Sequence, residues 1–408
     1  MINVAIMGHG VVGSGTAEIL INHNDRINEK IKDELNVKYI LDLRTFEGLS
    51  YSDKFTNDFN VILNDDEVKI VAEVMGGVNP AYDFVKKCLL AGKSVVTSNK
   101  ELVAAKGAEL LKIAKEKNVN FLFEASVGGG IPILRPMAQC LAANQINSVK
   151  GILNGTTNYI LNKMIVDNMD FDTALKLAQD KGYAEKDPTA DIEGHDACRK
   201  ICILASLAFG KHVYPEQVKT EGITNITLGD VEYADGFNCV IKLIGSTKRL
   251  ENGKIAANVR PTLVSRDHII SGVNGVFNTV MVDGDQTGDV MFYGKGAGKE
   301  ATASAVVADI IDCAKHLKTR KYLFWEDGGE DYVVSADEPT KLYVYAKDDD
   351  YNALVEKAEK LFGANASYIK NKFKNEIAIM TDTVLESELL AKVKALGAKD
   401  VKVMHTLF

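Results

Sequence analysis

The chain has 408 residues, of which 46% are hydrophobic and 25% are charged. This composition is typical of globular proteins, and a single core seldom exceeds about 250–300 residues, so two or three domains are expected. The 56 acidic residues outnumber the 48 basic ones, the net charge is −8, and no block of lysines and arginines is present to neutralise a row of phosphates. We therefore expect no nucleic-acid partner.

The apolar runs also favour a cytoplasmic chain without a membrane segment. Residues 2–7 follow no basic segment and lead into a glycine turn, which indicates a buried strand and not a secretion signal. The most apolar helical stretch, residues 201–209, is much shorter than the roughly 20 residues of a membrane span. The six cysteines show no metal-ligand or redox spacing, so buried free thiols are expected.

Residues 1–125 alternate β-rich apolar runs with amphipathic stretches, which predicts a doubly wound parallel sheet. The predicted helices include residues 80–90 and 100–117, and the predicted strands begin at Ile2, Lys38, Lys69, Ser94 and Asn120. The segment Gly8-His-Gly-Val-Val-Gly13 joins the first strand to the next helix. In this context Gly8, Gly10 and Gly13 predict a Rossmann-type dinucleotide site with the pyrophosphate at the helix N-terminus, beside Val11 and Val12.

The preference between NAD and NADP stays open. Asp42 ends the second predicted strand, where a carboxylate can accept hydrogen bonds from the adenosine ribose and would repel a 2′-phosphate. That favours NAD, but Arg44 lies two residues further on and can pair with a 2′-phosphate. The separation between Gly8 and Asp42 is also longer than usual for this motif.

The pattern changes over residues 126–297, which we predict to be a second domain, of the α+β class. Its predicted elements are helices near 157–166, 171–181 and 192–209 and strands over 254–264 and 278–282. A glycine-rich loop at 294–298 then opens a helix over about 301–317, and residues 298–320 are expected to complete the first domain. Residues 338–408 follow the order βαββαβ, which predicts a small ferredoxin-like domain.

Asp196 and Lys200 lie four residues apart on a predicted helix, so both charges project on one side of it, next to a buried stripe. Such a pair is usually a solvated ion pair. The segment before the helix adds Glu185, Asp187 and Asp191, and this concentration of carboxylates around one lysine favours a functional site.

Residues 182–200 (GYAEKDPTADIEGHDACRK) resemble the signature segment of homoserine dehydrogenases. Further segments support the resemblance in the same order along the chain: residues 97–100 (TSNK), 123–132 (FEASVGGGIP), 151–159 (GILNGTTNY) and 293–298 (YGKGAG). The resemblance covers roughly residues 1–320. It implies NAD(P)-dependent, reversible hydride transfer between L-homoserine and L-aspartate 4-semialdehyde, a step of threonine and methionine biosynthesis.

The resemblance also implies that residues 126–297 bind the substrate and form the dimer contact, and it implies roles for particular residues. Lys200 is the general acid and base, while Asp196 and Glu185, helped by Asp191, hold the substrate ammonium. The pocket is shaped by Gly155, Thr156 and Tyr183. Lys100 lies between nicotinamide and substrate, and Gly76 and Gly298 contact the cofactor.

Family members often carry a monovalent cation such as sodium. The matching ligands are Glu124, Val127, Gly129 and Ile131. Backbone carbonyl ligands have no side-chain signature, and from the residues alone Glu124 could equally cap a turn.

The predicted tail is similar to ACT domains, which bind an amino-acid effector such as threonine at subunit interfaces, and the resemblance implies a homodimer or homotetramer. Asp348-Asp349-Asp350 replaces the Pro-Gly that is common after the first strand of such domains, so a purely structural or dimerising tail is an alternative to threonine inhibition. Two rival functions remain: another amino-acid dehydrogenase, and a nucleotide-sensing regulator without turnover.

Overall fold

The computed structural model describes residues 1–317, 319–321 and 323–408. Of the predicted segment 298–320, residue 318 lies outside the described residues. Within the described residues no helix combines the length and apolarity needed to cross a bilayer.

The first part of the chain is a parallel six-stranded sheet covered by helices, which confirms the predicted doubly wound fold. The strand order is β3-β2-β1-β4-β5-β6, which places the strand-order reversal between β1 and β4. All six residues of β1 are buried, as expected of a strand covered on both faces. The elements are β1 (Ile2–Met7), α1 (Val11–Asn22), α2 (Asn24–Ile31), β2 (Leu35–Leu41), β3 (Phe55–Thr56), α3 (Phe59–Leu63), β4 (Val68–Glu73), α4 (Ala81–Leu90), β5 (Ser94–Thr97), α5 (Lys100–Lys117) and β6 (Phe121–Leu122).

The middle part packs helices against a largely antiparallel sheet. Its elements are β7 (Ile146–Ile152), α6 (Gly155–Asp167), α7 (Phe171–Asp180), α8 (Thr189–Ile192), α9 (His195–Phe209), β8 (Lys211–His212), β9 (Lys219–Thr220), α10 (Leu228–Gly236), β10 (Cys239–Arg249), β11 (Ile255–Ser265), β12 (Phe277–Gly284) and β13 (Gly288–Lys295). Strands β7, β10 and β13 were missing from the sequence-based prediction. The helix predicted near 192–209 is confirmed as α9, but it begins only at His195, because Gly194 adopts φ +81° and separates α8 from α9.

After β13 the chain returns to the first sheet. Helix α11 (Lys299–Lys315) packs along α1, where a Cβ on Gly15 would lie 3.0 Å from the Cβ of Ala303. The Asp309 carboxylate of α11 accepts a hydrogen bond from the Glu124 backbone N–H at 2.8 Å. These contacts attach the return helix to the nucleotide-binding part.

The tail has the predicted βαββαβ order. Its strands lie in the order β20-β16-β18-β17, which is the ferredoxin-like arrangement. The last elements of the chain are β14 (Glu326–Asp327), β15 (Pro339–Thr340), β16 (Leu342–Lys347), α12 (Tyr351–Phe362), β17 (Ser367–Lys370), β18 (Glu376–Met380), β19 (Val384–Leu385), α13 (Glu386–Leu396) and β20 (Asp400–Leu407). Strand β20 also pairs in parallel with β11, so the tail and the middle part share one continuous sheet.

The three acids of the tail loop are held by local contacts. Asp350 caps α12 through the Ala353 N–H, Asp348 accepts the Lys399 backbone N–H, and Asp349 pairs with the Lys399 ammonium at 2.9 Å. This arrangement fits the structural alternative for the loop.

Candidate active site

A cleft of about 1090 Å³ separates the nucleotide-binding loop from the middle part of the chain, and we call it the interdomain cleft. One wall carries the start of α1 and of α5, and the other carries the start of α6 and of α9. The cleft lies beyond the carboxyl ends of the parallel strands, where α/β sheets bind ligands.

The glycine loop between β1 and α1 fits a dinucleotide. A Cβ on Gly13 would lie 2.0 Å from the Gly8 carbonyl oxygen, so only glycine allows α1 to pack this closely on the strand. A Cβ on Gly10 would meet no atom within 4 Å, which leaves an open cradle in front of the helix N-terminus. Val11 and Val12 begin α1 and line the cleft, and the unpaired N–H groups at this end favour an anion.

A second cavity of about 520 Å³ adjoins the loop where an adenosine would lie, and Gly8, Gly10, Asp42 and Arg44 line it. The Asp42 carboxylate accepts the His9 backbone N–H at 2.8 Å and two hydrogen bonds from the Arg44 guanidinium, each 2.9 Å. Hydrogen bonding to Arg44 holds the pKa of Asp42 far below its usual range. A carboxylate and a guanidinium therefore share this end of the site, and the cofactor preference stays open.

Lys200 lies in the middle of α9 with its side chain buried at the base of the interdomain cleft. Its Nζ donates to the Asp196 carboxylate at 2.6 Å and to the Leu153 carbonyl oxygen at 2.8 Å. Asp196 precedes it by one helical turn, which explains the contact. The solvated ion pair that this spacing usually forms is not the arrangement here, because only 3% of Asp196 is exposed.

A second lysine reaches the same carboxylate from the nucleotide-binding part. Lys100 opens α5, and its Nζ lies 2.6 Å from the other Asp196 oxygen. Asn154, the N-cap of α6, donates through its side-chain amide to Asp191 at 2.7 Å and to Asp196 at 2.8 Å. Two lysines, two carboxylates and one amide thus form a connected network inside the cleft.

The network gives the two lysines different acidities. Burial raises the pKa of Asp196, but the ammonium groups of Lys200 and Lys100 outweigh burial and hold that pKa well below the usual range. Burial lowers the pKa of Lys200, and the nearby charge of Lys100 lowers it further. Asp196 raises this pKa only in part, so the pKa of Lys200 lies below that of an ordinary lysine. Burial also lowers the pKa of Lys100, but Asp196 raises it to above the ordinary value. Lys200 therefore releases its proton more readily than Lys100.

The structure brings most of the predicted site residues together, and their roles stay predictions. The interdomain cleft is lined by Val11, Val12, Lys100, Gly129, Gly155, Thr156, Tyr183, Asp191, Asp196, Lys200 and Gly298. Glu185 is exposed and does not line the cleft, and Gly76 lies in a turn after β4 with φ +84°. Asn154 received no role from the sequence. Its position before α6 predicts an N-cap, but its contacts with the two carboxylates appear only in three dimensions.

The predicted cation ligand Glu124 has another role in this structure. Its carboxylate accepts the backbone N–H groups of Ile133 and Leu134 at 2.6 and 2.9 Å and that of Arg135 at 2.8 Å. Both oxygens are therefore used to cap a turn, which is the alternative that the residues alone allowed. The cation site stays a prediction, with Glu124, Val127, Gly129 and Ile131 as its ligands.

Comparison with known proteins matches two family descriptions to this chain: "Homoserine dehydrogenase, NAD binding domain" over residues 8–124 and "Homoserine dehydrogenase" over residues 132–311. A homoserine dehydrogenase of Corynebacterium glutamicum is 37% identical over 418 aligned positions, covering 98% of this chain and 93% of the relative. One from Synechocystis is 43% identical, covering 76% of this chain and 73% of the relative.

Solved structures agree with these matches. The homoserine dehydrogenase of Thiobacillus denitrificans superposes with a TM-score of 0.91 at 36% identity, covering 99% of this chain and 98% of that chain. A mutant of a hyperthermophilic archaeal homoserine dehydrogenase in complex with NADPH gives a TM-score of 0.66 at 29% identity. This match covers 76% of this chain and 97% of that chain.

The doubly wound sheet, its glycine loop and these matches define an NAD(P)-dependent oxidoreductase. More narrowly, the chain belongs to the homoserine dehydrogenase family. This membership confirms the resemblance seen in residues 182–200.

Proposed function

We propose that the chain interconverts L-homoserine and L-aspartate 4-semialdehyde with NAD(P), and that Lys200 is the general acid and base. The main observation behind this proposal is the position of the Lys200 ammonium. It is buried in the interdomain cleft and donates hydrogen bonds to Asp196 and to the Leu153 carbonyl. The name homoserine dehydrogenase of relatives that match nearly the whole chain supports this substrate over another hydroxy amino acid.

Bound NAD(P)H supplies a hydride to the carbonyl carbon of the semialdehyde. Lys200 donates a proton from Nζ to the carbonyl oxygen as negative charge develops there, and in the reverse direction the same Nζ accepts the hydroxyl proton. The lowered pKa of Lys200 favours this exchange, and the 2.6 Å contact with Asp196 fixes the position of the amine. Lys100 places a second positive charge beside the Asp196 carboxylate but takes no part in the proton transfer.

The contacts favour Asp191 as the carboxylate that holds the substrate ammonium. Both oxygens of Asp196 already carry partners, namely Lys100, Lys200 and Asn154. Asp191 lines the same cleft and has only Asn154 as a hydrogen-bond partner among the described residues. Burial and the charge of Asp196 raise the pKa of Asp191, and an arriving ammonium would relieve both effects. Glu185, in this proposal, contributes to ammonium binding only if its loop moves toward the cleft.

The glycine loop supports the cofactor assignment. In the proposed complex the N-terminus of α1 and the open cradle at Gly10 hold the pyrophosphate, and Gly298, which precedes α11, also lines the cleft. Arg44 offers a guanidinium to a 2′-phosphate and Asp42 offers a carboxylate to a ribose diol, so we propose that the chain accepts both NAD and NADP.

The resemblance supports several further proposals about the chain. We propose domains over residues 1–125, 126–297 and 338–408, assembly into a homodimer or homotetramer, and an amino-acid effector. The free cysteines, five of them buried, are consistent with a reducing compartment such as the cytoplasm. Molar mass from light scattering would test the assembly.

Replacement of Lys200 tests the proposed mechanism. In Lys200→Met we expect kcat for homoserine oxidation to fall by about 10²-fold or more, because the proton acceptor is lost, while the Kd for NADPH stays nearly unchanged. Lys176→Met, at an exposed lysine of α7, is the matched control. Initial rates with NAD and with NADP, followed by the absorbance of the reduced nicotinamide, provide both the kinetic constants and the cofactor preference.

Three outcomes would count against this proposal. A Lys200→Met variant with wild-type kcat would remove Lys200 from the mechanism. Nucleotide binding without homoserine-dependent turnover in the wild type would favour the sensing regulator. A higher kcat/KM with another hydroxy amino acid would favour a different dehydrogenase.

A further inference from the structure

The single tryptophan of the sequence lies where the nucleotide-binding part meets the middle part of the chain. Trp325 immediately precedes β14, and only 1% of it is exposed. Its ring meets the ring of Phe123, which follows β6, edge-on at a centroid distance of 5.4 Å. Strand β14 pairs in parallel with β8, which follows α9. This pairing brings Trp325 to the end of α9.

A histidine links this tryptophan to α5. The indole Nε1–H of Trp325 donates to Nδ1 of His212, in β8, at 2.8 Å. Burial lowers the pKa of His212, so the ring is neutral, and because Nδ1 accepts, the ring proton is on Nε2. Nε2 then donates to the Ala104 carbonyl oxygen of α5 at 2.9 Å. All three residues are buried, so loss of one partner would leave a polar group unsatisfied.

A glycine of α5 makes room for both rings. A Cβ on Gly107 would lie 2.9 Å from Cζ2 of Trp325 and 3.4 Å from Cε1 of His212. Glycine inside a helix costs about 1 kcal/mol relative to alanine, and the close approach of the rings is a physical reason to have it here. We call Ala104, Gly107, His212 and Trp325 the tryptophan clamp.

The tryptophan clamp acts on the helix that carries Lys100. Lys100 lies one helical turn before the carbonyl group to which His212 donates, and its Nζ contacts Asp196, in the first turn of α9, at 2.6 Å. The next residue of α5, Glu101, pairs with Arg199 of α9 at 3.4 Å. These ion pairs involve the beginning of α9, whereas His212 lies just beyond its end. Helix α5 is therefore attached to the middle part at both ends of α9.

We propose that Trp325 and His212 are positioning residues for the reaction: they hold α5 against the middle part and thereby keep the Lys100 ammonium on Asp196. Neither residue lines the interdomain cleft, so they act through α5 and not on the substrate. A small rotation of α5 would carry the ammonium away from the carboxylate, and in a buried site the energy of that contact depends strongly on distance.

A displacement of Lys100 would change the proton affinity of Lys200. Three charged groups of the network face Lys200: Asp196 on its own helix, Lys100 on α5 and Asp191 on α8. Lys100 repels a proton on Lys200 and also competes with it for Asp196. Without the clamp both effects weaken, so the pKa of Lys200 rises and homoserine oxidation, which needs a neutral Lys200, shifts to higher pH. The proposal thus rests on the proposed function.

The pH dependence of kcat/KM for homoserine oxidation is the first test. In Trp325→Phe, which removes the indole N–H, we expect the rising limb to move to higher pH by about half a unit or more. Gly107→Ala, which adds a methyl group against the rings, should move it the same way, although alanine favours a helix. Two variants are used so that a folding defect in one leaves the other informative. Tyr233→Phe, which removes a buried hydrogen bond to Glu376, is the control and should leave the limb in place.

Crystal structures of the same two variants give a result that needs no turnover. We expect the Lys100 Nζ to lie more than about 4 Å from the Asp196 oxygens, beyond ion-pair distance. A limb that stays in place in both variants overturns the proposal, and so does an ion pair that both retain. An equal shift in Tyr233→Phe also overturns it, because the cause is then a general loss of stability. Wild-type kcat in Lys200→Met would instead refute the proposed function, and the distance alone would then decide on the clamp.

Discussion

Asp196 sets the charge state of two lysines that come from different parts of the chain. Its carboxylate is buried, and it contacts Lys200 from one helical turn away and Lys100 from the nucleotide-binding part. An uncompensated carboxylate at this depth would cost several kcal/mol, so the lysines are needed for its burial. Because Asp196 is shared between two cations, the pKa of Lys200 lies lower than it would in a simple ion pair with the same carboxylate.

The role of Asp191 can be tested by charge removal without loss of shape. In Asp191→Asn we expect the KM for homoserine to rise about tenfold or more with a smaller change in kcat, because an amide cannot balance the substrate ammonium. Asp180→Asn, at an exposed aspartate on α7, is the control. Steady-state kinetics measures both constants, and an unaltered KM would indicate that Asp196 or Glu185, and not Asp191, binds the substrate ammonium.

Lys242 is another buried lysine, and it has no carboxylate partner among the described residues. Its ammonium donates to the Val273 carbonyl at 2.7 Å and to the side-chain oxygens of Asn158 and Asn274. Asn158 in turn donates to the carbonyls of Val273, Gly275 and Phe277. These hydrogen bonds fix the position of the segment that leads into β12. Phe277, the first residue of β12, lines the interdomain cleft.

The pH dependence of the free energy of unfolding should report the lowered pKa of Lys242. Burial lowers its pKa from 10.5 to about 8, so between these values the unfolded chain binds more protons than the folded one. The contribution of Lys242 to the free energy of unfolding therefore rises with pH across this window, by up to about 3 kcal/mol. Lys242→Met should lose this rise, whereas Lys360→Met, at an exposed lysine of α12, should keep it. Urea unfolding at several pH values measures the difference, and parallel curves for wild type and Lys242→Met would contradict the assignment.

At the scale of elements, the break between α8 and α9 orients α9, the helix that carries Lys200. Gly194 has φ +81°, and a Cβ there would lie 3.1 Å from the Thr220 side chain and 3.3 Å from both the Glu221 carbonyl and the Val259 side chain. The start of α9 is thereby packed on β9 and β11. Asp191 lies before the break and Asp196 after it, so the turn brings both carboxylates to Asn154.

Gly194→Ala should therefore cost more than backbone strain alone. We expect the free energy of unfolding to fall by about 2–3 kcal/mol, because the methyl group adds a close contact to an unfavourable φ. Gly253→Ala is the matched control, since Gly253 has φ +77° but a Cβ there would meet no atom within 4 Å. Urea unfolding compares the two, and equal losses would show that the contact with Thr220 is unimportant.

At the scale of the whole molecule, the shared sheet joins the tail to the middle part of the chain. Strand β20 covers the edge of β11 along Thr262 to Val264, and Lys402 of β20 reaches Asp230 of α10. This junction also borders a cavity of about 560 Å³, which is lined by residues of β11, segment 333–340, α13 and β20.

Removal of residues 338–408 should uncover the edge of β11. We expect the shortened chain to self-associate increasingly with concentration, since an exposed edge strand offers unpaired N–H and C=O groups. Light scattering measures this against the full chain at equal concentration, and NADPH binding checks that the nucleotide-binding part is still folded. A shortened chain with the same assembly state as the full one would show that the junction does not protect the edge.

The sequence by itself determined the features that depend on local pattern. The glycine loop, the limits of α5 at residues 100 and 117, the βαββαβ tail and the spacing of Asp196 and Lys200 are all short-range, so periodicity and motif were enough. Family membership was visible in residues 182–200 for the same reason.

Only the tertiary structure decided what meets across long separations in the chain. The approach of Lys100 to Asp196, the position of Asn154 between two carboxylates, the use of Glu124 as a cap and the junction of β20 with β11 join segments far apart in sequence. Strands β7, β10 and β13 were missed because a strand in a mixed sheet is stabilised by its neighbours as much as by its own residues. Contacts of this kind depend on how domains pack, and no local pattern encodes that packing.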